Sequence, residues 1–263
     1  VTHLTDVMNN EQRNHPAAQQ QAVDQYTEVD TPFYLHAGLS KDAFDYIELY
    51  LLILTILCVA ITAPVFSGAY QNGADSILRC TKNGRLKLAV TRILAACTIS
   101  GVTFAVGMTL HLLLSNLVFG TDCLETSMQM LFSIINLPNI NLGQLQICLA
   151  LAGLLSIVSC VCCTLFLSAK CKDALSVLLI SITVILVPIF AYTALGVNWI
   201  SAILPSAGVG MQNNFLYQLI NFNYLHIGGM SFWTPHVILI ATAAEIPVFL
   251  FLAVRCYCKH QVA

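Results

Sequence analysis

Five stretches of the chain, about 46–66, 88–119, 145–168, 174–195 and 237–256, run for 20 residues or more and are dominated by Leu, Ile, Val and Ala. A bilayer's hydrocarbon core is about 30 Å thick and takes about 20 helical residues to cross. None of the five alternates apolar and polar residues as a membrane barrel strand does. The expectation is therefore an all-α, polytopic membrane bundle of five spans. The second stretch is longer than a bilayer requires and should tilt or project. Composition closes off the alternatives: of 263 residues 57% are hydrophobic and 9% charged, with a mean hydropathy of +0.78. A water-facing domain carries about 25% charged residues, so an ordinary soluble enzyme is excluded. With 11 Lys/Arg against 13 Asp/Glu there is no basic excess to hold a nucleic acid, and the bilayer is the first partner.

Charge placement orients the bundle. Nine of the 11 Lys/Arg fall in three clusters: Arg79, Lys82, Arg85, Lys87 and Arg92; Lys170 and Lys172; Arg255 and Lys259. These flank the spans on one side, whereas the loops at about 120–144 and 196–236 contain neither Lys nor Arg. By the positive-inside rule the clusters and the C-terminus are cytoplasmic and the neutral loops external. Trp199, Phe215, Tyr217, Phe222, Tyr224, Phe232 and Trp233 fit an aromatic belt at headgroup level. An odd number of spans then puts the polar segment 1–45 outside as a small region with some helix, ahead of a transmembrane domain over 46–263. That segment shows no secretory apolar core, so an upstream span is expected to carry it across. A reverse signal anchor is the rival.

No catalytic constellation is legible. The chain has no GxxxxGK[ST] nucleotide loop, no HExxH helix and no GxSxG elbow, and a membrane enzyme is the least favoured class. The eleven cysteines do not form a disulfide framework, since Cys123 alone falls outside. Neither Cys160-Val161-Cys162-Cys163 nor Cys256-Tyr257-Cys258 has the paired spacing of a zinc site. They read as small apolar residues, and no metal is expected. His111 and His236 stand alone. Glu245 is the acid placed deep in a span, two residues before Pro247. Either it serves a functional site or it hydrogen-bonds within the bundle. Ala152, Ser156, Cys160, Thr164 and Ser168 recur at every fourth position and line one helix face, a packing seam within the chain or between two copies.

The loop Ser67–Lys87 is the most informative segment. Asn72 or Asp75 can cap a short helix bearing Ala74, Ile77 and Leu78 on one side and Arg79 near its end. Asn83-Gly84 then turns the chain and Arg85 opens the next long helix. Such a helix can lie on anionic headgroups or fill a groove on a cytoplasmic partner. Physics alone leans slightly to the lipid.

The stretch Phe66-Ser67-Gly68-Ala69-Tyr70-Gln71-Asn72-Gly73, then Ile77-Leu78-Arg79-Cys80-Thr81 and Gly84-Arg85, resembles the inner loop of membrane subunits of ATP-binding-cassette exporters of the type-2 permease class. It departs from the family's pattern at Ala69, where a Glu is usual. Leu204-Pro205-Ser206, the run from Gly228-Gly229 to Pro235 and the ending Arg255-x-Tyr257-x-Lys259-His260-Gln261 are similar as well. The resemblance implies a permease of six spans, of which this chain holds the second to sixth. It also implies a coupling helix in the basic loop and short re-entrant helices in the 196–236 loop. It further implies a second permease subunit, identical or related, and separate P-loop ATPase subunits that bind the ATP, so that this chain carries no cofactor. Asn72, Asp75, Ile77, Leu78 and Arg79 would then face the ATPase, with Arg85 and Lys87 at the elbow leading into the long second span. A lack of disulfides and glycosylation sequons suits a bacterial plasma membrane. The cargo is left open among amphipathic peptides, lipids and hydrophobic drugs. Two other classes stay in play: a secondary transporter using Glu245, and a non-transporting sensor or assembly subunit.

Overall fold

The computed structural model describes residues 2–80, 84–196, 199, 202–210 and 214–259. The chain opens with two short helices, α1 (Thr2–Glu11) and α2 (Pro16–Thr27). The first span follows as α3 (Lys41–Thr62) and α4 (Pro64–Gln71), leading to a six-residue helix, α5 (Ala74–Arg79). The second span is α6 (Leu86–Phe119), 34 residues long. A 3-10 turn (Asp122–Glu125) and α7 (Met128–Leu131) cross to α8 (Leu142–Lys170), and α9 (Ala174–Leu195) returns. Then come α10 (Phe215–Ile220), an antiparallel hairpin of β1 (Tyr224–Ile227) and β2 (Met230–Trp233), and finally α11 (Thr234–Lys259). Five of these segments, counting α3 with α4 as one, are long and apolar enough to cross a membrane. The protein is an all-α, multi-pass membrane bundle.

Four of the five spans reach beyond the apolar runs that announce them, because capping groups rather than hydropathy set helix ends, whereas α9 coincides with its run. In α8, Asn141 Oδ1 accepts from Gln144 N at 2.8 Å while Gln144 Oε1 accepts from Asn141 N at 3.0 Å. This reciprocal pair satisfies two donors that a helix start leaves open. Asp173 starts α9 in the same way, accepting from Ser176 N at 2.9 Å, and Gly196 ends it at φ 64°.

α8 is the axis of the bundle and packs against α3, α4, α6, α9, α10 and α11. Its small residues permit this approach. A Cβ on Gly153 would stand 2.7 Å from Leu51 Cδ2 of α3. A Cβ on Gly208, in the loop before α10, would stand 2.1 Å from Ser156 Oγ. By contrast α6 and α11 turn Leu94, Val106, Leu117, Ile240 and Phe251 outward, each more than half exposed, as lipid-facing side chains should be.

The polar N-terminal segment docks on the neutral loops. Tyr26 Oη donates to Ile134 O at 3.0 Å, Asn139 Nδ2 to Glu28 O at 2.9 Å and Gln12 Nε2 to Phe222 O at 3.0 Å. Leu4, Met8, Ala18 and Ala22 are fully buried there and continue the apolar core that runs through Phe44 to Tyr257. The segment and the loops without Lys or Arg thus share one end of the bundle, opposite the basic clusters. Within residues 196–236, where the resemblance leads one to expect paired re-entrant helices, the described residues show one buried helix, α10, followed by the hairpin.

Candidate functional site

The basic end is built around the break between α3 and α4. Pro64 carries no N–H and cannot continue the ladder of α3. Beside the break, Ser168 of α8 donates its hydroxyl to Ala63 O at 2.6 Å and accepts from Phe66 N at 3.0 Å and Ser67 N at 3.1 Å. Tyr70 Oη donates to Ala169 O at 3.2 Å, and Gln71 Nε2 to Asp173 Oδ1. The Ser176 bonds hold the Asp173 carboxyl below the usual carboxylate range. From α6, Arg92 donates to Val65 O at 3.3 Å and stands 6.0 Å over the Phe66 ring. From α11, the fully buried Tyr257 packs on Phe66 with ring centroids 4.9 Å apart and donates to Gly84 O at 3.5 Å. One eight-residue helix, α4, is therefore bonded or packed to every other span.

From this anchored platform α5 projects. Asn72 closes α4, and Gly73 turns the chain with φ 66°, a conformation that costs a side-chain-bearing residue steric strain. Gly73, not Asn72 or Asp75, occupies the N-cap of α5, because the reversal needs the left-handed conformation more than it needs a capping side chain. Ile77 is 75% exposed, whereas Asp75 is buried and Leu78 half-buried. Arg85 and Lys87 are both exposed at the start of α6. The side chain of Arg79, together with Thr81, Lys82 and Asn83, lies outside the described residues. Asn72, Ile77, Arg85 and Lys87 are thus exposed, whereas Asp75 is turned inward.

The other residues that stand out in the sequence lie elsewhere. Glu245 is half-buried and accepts from Ser159 Oγ of α8 at 2.7 Å, so it joins α11 to α8. Ala152, Ser156, Cys160 and Thr164 are all buried, and Thr164 Oγ1 bonds back to Cys160 O at 2.8 Å. Ser156 meets Gly208, and Cys160 packs with Leu52, Val59 and Ile185 of α3 and α9. His111 is stacked on Tyr50 with centroids 4.6 Å apart.

Sequence reasoning missed Glu48, near the start of the first span. It is 1% exposed, and its Oε1 accepts from Leu216 N of α10 at 3.4 Å. Oε2 has no hydrogen-bond partner among the described residues. The signal was available: Phe44, Glu48, Leu51 and Thr55 fall at helical spacing on the buried face of α3. No protein-family model matches the chain, and no curated protein resembles it significantly.

Proposed function

We propose that the chain is a membrane-spanning permease subunit of an ATP-driven exporter of the ATP-binding-cassette type. In this reading a separate P-loop ATPase engages the segment 72–87 on the cytoplasmic side of a plasma membrane. The observation that carries the reading is the form of the basic end: Ile77, a bare apolar side chain, stands on a six-residue helix whose base, α4, is bonded or packed against every other span. An apolar side chain on a loop that also carries exposed Arg85 and Lys87 suits a groove on an acidic-rimmed protein partner. A push on that side chain would be felt across the bundle through α4, as an ATP-driven pump requires. The family resemblance of Phe66–Arg85 supports the same reading. The serine partner of Glu245 supports a packing role for that acid rather than a proton relay.

Affinity purification of the full-length protein from native membranes in mild detergent tests this, with mass spectrometry of what accompanies it. A P-loop ATPase should accompany the wild type and be lost from an Ile77→Asp/Leu78→Asp double variant that still purifies as a folded species. Absence of any ATPase from intact wild-type protein would refute the proposal.

A further inference from the structure

At the end of the bundle opposite the coupling segment, a groove of about 380 Å³ runs between the start of α3 and the last turns of α6, within the range of ligand pockets. Its lining includes Ser40, Tyr46, His111, Leu114, Ser115 and Val118, and holds no Asp, Glu, Lys or Arg. Contacts between the two helices fix its depth. His111 stacks on Tyr50 with centroids 4.6 Å apart, and a Cβ on Gly38, just ahead of Ser40, would stand 3.0 Å from Phe119 O. The charged start of α3, with Lys41, Asp42 and Asp45, gives way at Tyr46 to the apolar run. Ser40 and Tyr46 therefore stand at the water boundary of the bilayer, and His111, level with Tyr50, lies about one helical turn below it. Leu114 and Val118 are more than half exposed and leave the groove open toward the lipid.

Its polar groups are not those of a surface made for lipid tails alone. On the same turn of α6, Asn116 faces the bundle and exchanges hydrogen bonds with Gln146 of α8 at 3.4 and 3.2 Å. Ser115 and His111 line the groove instead, and among the described residues neither side chain has a hydrogen-bond partner. Both are half-buried, and neither the hydroxyl nor the ring nitrogens are among the polar atoms sealed into the core. A bare hydrocarbon tail would leave them unpaired below the boundary, where water is scarce, and that costs free energy. A charged head fares no better. An anion finds no Lys or Arg in the lining and meets the net negative start of α3, and a cation finds no acid in the lining. The groove therefore suits a lipid with hydroxyls at the boundary and an uncharged acceptor about one helical turn (about 5 Å) deeper.

We infer that this groove binds an uncharged acylglycerol: free glycerol hydroxyls bond at Ser40 and Tyr46, the ester carbonyl accepts from Ser115 and His111, and the chain descends past Leu114 along the lipid-facing side of α6. The site does not depend on the ATPase proposal and stands if that proposal fails. The test places the full chain in phosphatidylcholine nanodiscs with a diazirine-bearing monoolein analogue and maps the cross-linked residues by mass spectrometry. Adducts should fall within residues 40–46 and 111–119. Unlabelled monoolein or diolein should displace the probe about tenfold more effectively than oleic acid, oleylamine or lysophosphatidylcholine, the difference that one well-made hydrogen bond produces. In a Ser115→Ala/His111→Phe double variant, where the new ring can still stack on Tyr50, that preference should vanish although chains still enter. Val118→Trp, an outward change at a side chain 77% exposed, should fill the groove and abolish the labelling. Adducts spread evenly over the lipid-facing helices would overturn the inference, as would labelling that Val118→Trp leaves intact. So would displacement by oleic acid, oleylamine or lysophosphatidylcholine equal to that by the acylglycerols, or a preference for acylglycerols that survives in the double variant.

Discussion

Ser168 shows how much one side chain can carry when a proline interrupts a buried helix. Its hydroxyl meets a carbonyl and two amides at the α3–α4 break, all inside the bundle. Ser168→Ala should cost about 2 kcal/mol, the range for leaving buried backbone groups short of a partner, read as a lower midpoint in denaturant titration of the purified protein. A midpoint equal to wild type would mean the α4 anchor lies elsewhere. His226 makes a second residue-scale prediction. Burial first, and then His15, hold it below the ordinary histidine pKa. As pH falls through the ordinary value the unfolded chain takes up the proton before the folded one does. Stability is then full above that value and declines down to the depressed one. Glu11, raised by burial, acts with the opposite sign, so the measurement belongs in a Glu11→Gln background. There, hydrogen exchange of the α1 and α2 amides, corrected for intrinsic rates, should accelerate between about pH 7 and pH 5. A His226→Gln variant should abolish that acceleration.

At the scale of elements, what the sequence made legible and what it hid divide along physical lines. The spans were legible because a bilayer imposes a minimum apolar length, and all five occur where apolar runs predict them. The ends of α9 were legible too, at Ala174 and Leu195, but those of α8 were not, since Asn141 with Gln144 caps through polar side chains that hydropathy scores as loop. The short helix of the basic loop was legible in place, over Ala74–Arg79, but its cap was not: the reversal at Gly73 is a backbone requirement. Glu48 went unnoticed because an acid near a span's end reads as interfacial, although helical spacing puts it on the buried face. The small-residue seam of α8 now has a specific neighbour to test. Gly208→Ala would drive a Cβ to within 2.1 Å of Ser156 Oγ and 3.3 Å of Ala152 O. It should cost about 1–3 kcal/mol, as overpacking does. Ser156→Ala in the same chain should return part of that, since it removes the hydroxyl and leaves the Ser156 Cβ contact at 3.2 Å. Additive costs in the double variant would show that the loop has moved off α8.

For the whole molecule, the division of charge is the organising fact. Basic clusters gather at one end, while the loops without Lys or Arg and the polar N-terminal segment close the other, joined by a core that runs from Leu4 to Tyr257. That polarity was readable in the sequence because Lys and Arg counts in loops are local. The groove between α3 and α6 was not, because its walls come from residues 40–46 and 111–119, and no periodicity announces their meeting. The central claim concerns the basic end, where a helix can rest on lipid or on a protein. Placing a photo-cross-linking residue at Ile77 in intact membranes distinguishes the two directly. The expected result is a protein adduct whose partner carries a P-loop and whose yield changes with ATP. An adduct with lipid alone would contradict it.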